Sequence, residues 1–331
     1  MRNRREIVRL MGAASAALAA APLRNARAQD EAKNYPSRPI RLIVGFAAGG
    51  GNDIFARLVG QKFSELIGQP VVIENRPGAG GRLSAAFVAA QAADGYTLLV
   101  GAAGAMAVAP AIYPNLSYHP LRSFVPLTLI GAFPLVLNVS AKHEVKTLAE
   151  MVAWAKAHPD KANYATSAPG FTIATELLKL KTGMPGVAIP YKSSNEMVLS
   201  VISGQSLLTI SDPPPAVPLV KGGQLRALAV TGAKRLAELP DVPSMAEAGF
   251  PEVNIGLWSG LFAPAGTPPA ITRKLETELR RAILSPEVGD RLRALAVQPS
   301  GIASDELRRL IEADIKLTAE VVKAANLTFE E

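Results

Sequence analysis

Short apolar segments alternate with amphipathic segments along most of the chain. The apolar segments are rich in β-branched residues and lie at residues 40–46, 71–74, 98–101, 124–130, 135–139, 163–165, 187–190, 207–210, 225–230 and 255–262. The amphipathic segments repeat apolar residues at helical spacing and lie at residues 52–67, 83–92, 147–157, 172–181, 195–203, 270–284 and 304–324. Strands separated by helices favour parallel pairing with right-handed crossovers. The pattern predicts an α/β protein with mainly parallel sheets flanked by helices.

This alternation of strands and helices occurs in two successive sets. The second set begins at Leu135, and the chain crosses back to the first set near Ser259, within the predicted strand at residues 255–262. We expect lobe I to comprise residues 29–134 and 260–331, and lobe II to comprise residues 135–259. Two lobes joined by two chain crossings make a hinged clam shell, whose ligands lie between the lobes.

Three consecutive glycines, Gly49 to Gly51, connect the first apolar strand to the first amphipathic helix. Asn52 or Asp53 is expected to cap this helix. The unpaired N–H groups of a helix N-terminus and the positive end of its dipole favour an anion. The stretch therefore indicates an anion site, and the alternative is a loop that only turns the chain.

Neither glycine cluster fits a nucleotide. A Walker loop needs Lys followed by Ser or Thr after its last glycine, where this chain has Asn52 and Asp53. The second cluster, at residues 78–83, has Leu83 where a dinucleotide fingerprint has its third glycine. Asp53 would also repel a highly charged phosphate. A carboxylate is the better candidate.

The N-terminus has the pattern of an export signal. Arg4 and Arg5 precede an apolar stretch at residues 10–21, which is too short to span a bilayer. Ala26 and Ala28 form a small-x-small cleavage site. The arginine pair resembles a twin-arginine motif, although Ile7 stands where that motif usually has Phe. We expect residues 1–28 to be a cleaved signal peptide and the mature protein to be soluble in the periplasm.

Composition excludes several functional classes. Residues 1–28 contain six arginines and one glutamate, a net +5 of the chain's +7, so +2 remains, and only 5% of residues are aromatic. We therefore expect no nucleic-acid partner. Cysteine is absent, which removes disulfides, thiol catalysis and a lipid anchor. His119, His143 and His158 lie far apart, and no metal-spaced cluster or nucleophile elbow is present. We expect no catalytic residues, no metal and no cofactor, hence not an enzyme.

Eight segments carry a resemblance to a known family. They are YPSRPI at 35–40, GGxxDxxAR around 50–57, GQPVVIENRPGAGG at 68–81, DGYTLL at 94–99, PYK at 190–192, LRALAVT at 225–231, LPDVPSMAEAG at 239–249 and APAGTP at 263–268. From residue 35 to residue 327 the chain resembles the periplasmic solute-binding proteins of tripartite tricarboxylate transporters, also called Bug (Bordetella uptake gene) receptors.

The resemblance implies a two-lobed periplasmic binding protein of the type II-like kind. Such a receptor captures a small organic carboxylate and delivers it to the permease subunits of a membrane transporter. Dicarboxylates, tricarboxylates, aromatic acids and amino acids all remain candidate ligands, and a monomer is expected. The alternative is a ligand-dependent sensory partner of a two-component histidine kinase.

The resemblance, together with the glycine- and alanine-rich loops that follow the strands, also implies the ligand-binding residues. They are Phe46, Ala47, Gly50, Asn52, Asp53 and Ala102 in lobe I, and Thr166, Ser167, Gly170, Tyr191 and Asp212 in lobe II. For Asp53 the alternative is a helix cap without a ligand role, and for Tyr191 a core tyrosine. Phe171 departs from the family pattern, and either stacks on an aromatic ligand or covers the core.

Overall fold

The computed structural model describes residues 34–232 and 234–324. The predicted signal peptide, with Arg4, Arg5, Ala26 and Ala28, lies outside these ranges. The strands are β1 (Ile40–Val44), β2 (Val71–Asn75), β3 (Thr97–Ala102), β4 (Phe124–Pro134), β5 (Val136–Ser140), β6 (Asn163–Thr166), β7 (Val187–Pro190), β8 (Leu208–Ser211), β9 (Leu225–Val230), β10 (Gly256–Pro264) and β11 (Gln298–Pro299).

The helices are α1 (Gly51–Ile67), α2 (Arg82–Ala89), α3 (Ala109–Ile112), α4 (Leu148–Ala157), α5 (Pro169–Thr182), α6 (Ser194–Ile202), α7 (Pro213–Lys221), α8 (Pro269–Ile283), α9 (Pro286–Ala294) and α10 (Ser304–Ala324). Short helical turns are found at Ala79–Gly81 and Pro159–Lys161, and a π-helical turn at Gly104–Val108 leads into α3. In the described residues, no helix combines the length and apolar composition that crossing a bilayer requires.

The strands form two sheets. The six-stranded sheet has the order β11-β4-β10-β3-β1-β2, and the five-stranded sheet has the order β7-β6-β8-β5-β9. Helices pack against both, so the predicted α/β architecture is confirmed. The side chains of β1 that the sequence predicted as core are fully buried, as expected for a strand covered on both faces.

The pairing within each sheet is mixed, which corrects the expectation of mainly parallel sheets. β1 runs parallel to β2 and β3, and β6 runs parallel to β7 and β8. β10 is antiparallel to β3 and β4, and β5 is antiparallel to β8 and β9. The physical reason is that β5 and β10 are the strands through which the chain enters each sheet from the other, so neither follows the helical crossover within one sheet that parallel neighbours require.

Thr231 joins the two chain segments that pass between the sheets. Its hydroxyl accepts a hydrogen bond from the N–H of Leu135 (2.8 Å) and donates one to the carbonyl of Ile255. Its own N–H donates to the carbonyl of Leu135 (2.9 Å). Leu135 lies in the first pass and Ile255 in the second, so the two passes are bonded to each other.

The sequence did not predict α7, because its first turn is Pro213, Pro214 and Pro215. Proline is tolerated there, since the first N–H groups of a helix have no acceptor within it. The helix places Asp212 at its N-cap position, directly after β8.

Candidate functional site

The glycine loop after β1 leads into α1 as predicted, but its cap differs from the prediction. The N-cap residue is Gly50, which has an extended backbone and makes no side-chain cap. Asn52 and Asp53 lie instead within the first turn of α1. The cause is that their side chains have other partners: Asn52 accepts a hydrogen bond from the hydroxyl of Ser259 (2.7 Å), and Asp53 accepts one from the N–H of Gly49 (2.9 Å).

Asp53 holds the shape of this loop. Besides Gly49, its carboxylate accepts hydrogen bonds from Arg57 Nε (2.9 Å) and Asn75 Nδ2 (3.0 Å), and Asn75 Nδ2 also donates to the carbonyl of Phe46 (3.0 Å). Burial raises the pKa of the Asp53 carboxyl, but these hydrogen bonds outweigh burial and hold the pKa below its usual value. Asp53 is therefore ionised and fully partnered, and it fixes the backbone on which the glycines lie.

The glycine loop contacts the loop that precedes α6. The N–H of Ala47 donates to the carbonyl of Lys192 (3.2 Å), and the N–H of Gly51 lies 3.3 Å from the hydroxyl of Ser194. A Cβ on Gly50 would lie 3.2 Å from Cβ of Ser193, which is tighter than an ordinary contact. Glycine at position 50 thus allows elements from the two sheets to approach closely.

Asp212 meets the same loop from β8. Its side chain is 1% exposed, and one carboxyl oxygen packs so closely on Cα of Gly51 that a Cβ there would overlap it. Burial raises the pKa of this carboxyl to about 6, against hydrogen bonds from Ser194 and from the backbone N–H groups of Asp212 and Gly51. Its other oxygen has no hydrogen-bond partner among the described residues.

Four helices begin where the two sheets meet. α1 begins at the glycine loop, α6 at Ser194 beside it, and α7 after Asp212. α5 begins at Pro169, and its Gly170 lies within 3.4 Å of the Cβ position of Gly104. The first turns of α1, α5 and α6 present backbone N–H groups and the positive end of the helix dipole, whereas the first turn of α7 is three prolines and offers the dipole alone. Their convergence favours an anion at this place.

A small cavity, here called the interior cavity, lies beside the starts of α1 and α5. Four of the predicted site residues line it, namely Phe46, Asn52, Ala102 and Gly170. Its volume of about 10 Å³ accommodates roughly one water molecule. Admission of a larger ligand therefore requires the elements on its two sides to move apart.

The other predicted residues do not line this cavity, and several have partners of their own. Thr166 Oγ1 is 2.8 Å from Thr172 Oγ1, and the Tyr191 hydroxyl is 3.5 Å from Ser206 Oγ. The Ser167 hydroxyl is buried and without a hydrogen-bond partner in the described part of the chain. The ligand roles of all the predicted residues, including the four that line the cavity, remain predictions.

Sequence reasoning missed several residues that form the cavity wall. Phe133, Leu257 and Trp258 line it from the ends of β4 and β10, the strands next to the two chain passes. The sequence could have indicated them, because they lie next to the points, near Leu135 and Ser259, at which the chain was predicted to cross between the lobes. Phe171, for which two alternatives were open, is 6% exposed and lines the cavity.

Metal chemistry is not indicated by the described ranges, 34–232 and 234–324. Within them, His, Asp and Glu side chains do not gather in threes that could hold an ion. The site therefore consists of backbone N–H groups, hydroxyls, aromatic rings and two buried carboxyls. Such a set can bind and orient an anion.

Comparison with known proteins agrees with this geometry. Residues 55–327 match the model of the tripartite tricarboxylate transporter family receptor. Protein BugT of Bordetella pertussis is 36% identical over 295 residues, which cover 88% of this chain and 90% of BugT.

Two solved structures have the same fold. Rpa4515 of R. palustris, solved with adipate, is 35% identical with a TM-score of 0.85, covering 89% of this chain and 99% of that one. MatC of Rhodopseudomonas palustris, solved with bound malate, is 33% identical with a TM-score of 0.83, covering 87% and 100%. The resemblance found in the sequence is confirmed. The chain belongs to the tripartite tricarboxylate transporter receptor family, whose members are periplasmic solute-binding receptors and not enzymes.

Proposed function

We propose that this receptor binds a small organic carboxylate between two lobes and delivers it to the permease subunits of a tripartite tricarboxylate transporter. The observation that carries the proposal is that the N-termini of α1 and α5, one helix from each side, meet at the interior cavity, with the start of α6 beside the glycine loop. The carboxylates named with Rpa4515 and MatC support the same ligand class.

We assign each of the two proposed lobes to one of the two sheets. The first would comprise residues 29–134 and the C-terminal part, and the second the residues from 135 onward. The sequence placed the return to lobe I at residue 260. We now place it at Gly256, because β10 joins the six-stranded sheet from that residue.

The ligand carboxylate would lie at the N-terminus of α1. Asn52, in the first turn of α1, lines the interior cavity, so a carboxylate held there would lie beside the Asn52 side-chain amide and the start of the helix. One anion at a helix N-terminus contributes about 0.3 to 1 kcal/mol at an exposed site and up to about 2 when partly buried. Because α5, α6 and α7 approach from the other sheet, a ligand held by both sides would stabilise the closed form.

Delivery then requires that the permease distinguish the closed receptor from the open one. Closure brings Ala47 and Gly51 against Lys192 and Ser194, so it changes the surface at the seam between the sheets. We place the receptor in the periplasm as a monomer, exported by residues 1–28.

Thermal unfolding of residues 29–331, measured with mono-, di- and tricarboxylates, aromatic acids and amino acids, tests the proposal. Ligands that bind the folded state raise the melting temperature. We expect a rise with one class of carboxylate, and a dissociation constant for that class by calorimetry. Absence of any rise, in protein shown to be folded by circular dichroism, would overturn the proposal.

The glycines of this chain offer a matched pair of variants for the same measurement. Gly49 and Gly204 both have positive φ, +83° and +80°, so alanine strains the backbone similarly at each. Gly49→Ala is expected to weaken carboxylate binding because it distorts the loop at α1. Gly204→Ala, with open space around it, is expected to lower the melting temperature alone.

A further inference from the structure

A second cavity adjoins the interior cavity and is here called the side groove. It has a volume of about 250 Å³ and is bounded by the π-helical turn, α5, the segment before β10, and α10. Ala103, Gly170 and Leu257 belong to the walls of both cavities. Separation of the two sheets at these residues would therefore join the two spaces into one.

The walls of the combined space are mostly apolar, and Glu252, Asn254, Asp314 and Thr318 are the polar residues of the side groove. The interior cavity is lined by four aromatic rings, those of Phe46, Phe133, Phe171 and Trp258, and Asn52 is the one amide among its lining residues. The side groove continues with aliphatic side chains, among them Val108, Ile173, Leu177 and Leu317. Burial of a hydrocarbon group against such walls favours ligand binding, whereas burial of an unpaired polar group there disfavours it.

The ionisable side chains that line the side groove are both acidic. They are Glu252 and Asp314. Asp314 accepts a hydrogen bond from Trp258 Nε1 (2.6 Å), which fixes it against the wall of the interior cavity. No lysine or arginine lines either cavity in the described residues; Lys181 lies outside the groove wall, 3.9 Å from Glu252. A second anionic group on a ligand would therefore meet like charge at this end.

From these observations we propose that the ligand is an apolar monocarboxylate. Its carboxylate lies at the N-terminus of α1, and its aliphatic or aromatic body extends past Leu257 into the side groove. The inference rests on the proposed function and adds a ligand class to it. By this assignment the receptor discriminates against dicarboxylates of the same length, whose second carboxylate would face Glu252 and Asp314.

Hexanoate and adipate provide the direct test, because both have six carbons and differ in the second carboxylate. Calorimetry on residues 29–331 is expected to show hexanoate binding at least about tenfold more tightly than adipate, as one close charge repulsion would cause. 3-Phenylpropionate is expected to bind with a dissociation constant similar to that of hexanoate. Equal or tighter binding of adipate, malate or succinate would overturn the inference and leave the proposed function standing. Failure of every carboxylate to bind the folded protein would overturn the proposed function itself.

Variants of α5 test where the apolar end lies. Leu177→Lys places a cation in the side groove, and the partial exposure of Leu177 lets the lysine chain extend. The variant is expected to lower the ratio of hexanoate affinity to adipate affinity by about tenfold. Leu180→Lys is the matched control, since Leu180 lies on the same helix with 54% of its surface exposed and outside the groove. Equal effects of the two variants would contradict the assignment.

Asp314→Asn gives an independent test that retains an acceptor for Trp258. It removes one of the two acids without changing side-chain size, so the ratio of hexanoate affinity to adipate affinity is expected to fall severalfold. An unchanged ratio in Asp314→Asn and in Leu177→Lys, with both variants folded, would overturn the inference.

Discussion

The loops after β1 and after β8 each contribute a buried aspartate to the same seam between the sheets, yet the two carboxyls differ. Asp53 accepts hydrogen bonds from Gly49, Arg57 and Asn75, and its pKa lies below the usual value. Among residues 34–232 and 234–324, no cation pairs with Asp212 and one of its oxygens has no partner, and its pKa is raised to about 6. The same residue type therefore braces a loop in one place and remains available for a new partner in the other.

Among the variants that test the difference between the two aspartates, Asp212→Asn should have the largest effect on folding stability. The pKa of Asp212 is about 6 in the folded state and about 3.9 when unfolded, so the folded protein loses stability as pH rises between those values. The loss amounts to about 3 kcal/mol above pH 6 and is absent below pH 4. Asparagine abolishes this titration, so the variant should be more stable than the parent at pH 8 and similar at pH 4. Urea unfolding across this pH range measures it, and a constant difference at all pH values would contradict the expectation.

Asp53→Asn should have a smaller effect of opposite sign. The folded pKa of Asp53 is lowered, so its stabilisation is complete above the unfolded pKa of about 4 and is lost as pH falls through the folded value. The variant loses charge-assisted hydrogen bonds to Arg57 and Gly49, at a cost of about 2 kcal/mol near neutral pH. Urea unfolding at pH 7 and pH 3 should show the deficit shrinking in acid. Because the loop loses its brace, carboxylate binding should also weaken; unchanged affinity would separate Asp53 from the site.

Gly51→Ala should have the smallest effect on global stability, about 1 kcal/mol, because hinge opening relieves the overlap of the new Cβ with Asp212. The variant should instead favour the open form, with a larger radius of gyration in small-angle scattering. Adding Asp212→Ala removes the obstacle and should restore the compact value. A compact Gly51→Ala protein would show that the two loops do not touch in solution.

Local chemistry was predictable from the sequence where it depends on neighbours in the chain. The apolar run of β1, the glycine loop and the start of α1 follow from residues within one segment, and the structure has all three. The N-cap was wrong because Asn52 is bonded to Ser259, which lies far along the chain in β10. The capping preference of a residue type does not include such distant partners.

Contacts between the sheets could not be predicted from local sequence either, because their partners also lie far apart in the chain. Asp212 was singled out by resemblance, but its packing on Gly51 depends on how the two sheets are oriented. Phe133, Leu257 and Trp258 read as ordinary strand residues, and only the pairing of β4 with β10 brings them to the cavity. The mixed sheets likewise follow from β5 and β10, which enter each sheet from the other, and the alternation of strands and helices does not reveal in which direction they run.

The hydroxyl of Thr231 has a thermodynamic consequence for ligand capture. Because it bonds the first pass at Leu135 and the second at Ile255, the two passes would bend together if the lobes open as proposed. The proposed open form would then be confined to a narrow range of angles, and little conformational entropy would be lost on closing. More of the free energy from ligand contacts would accordingly appear as affinity.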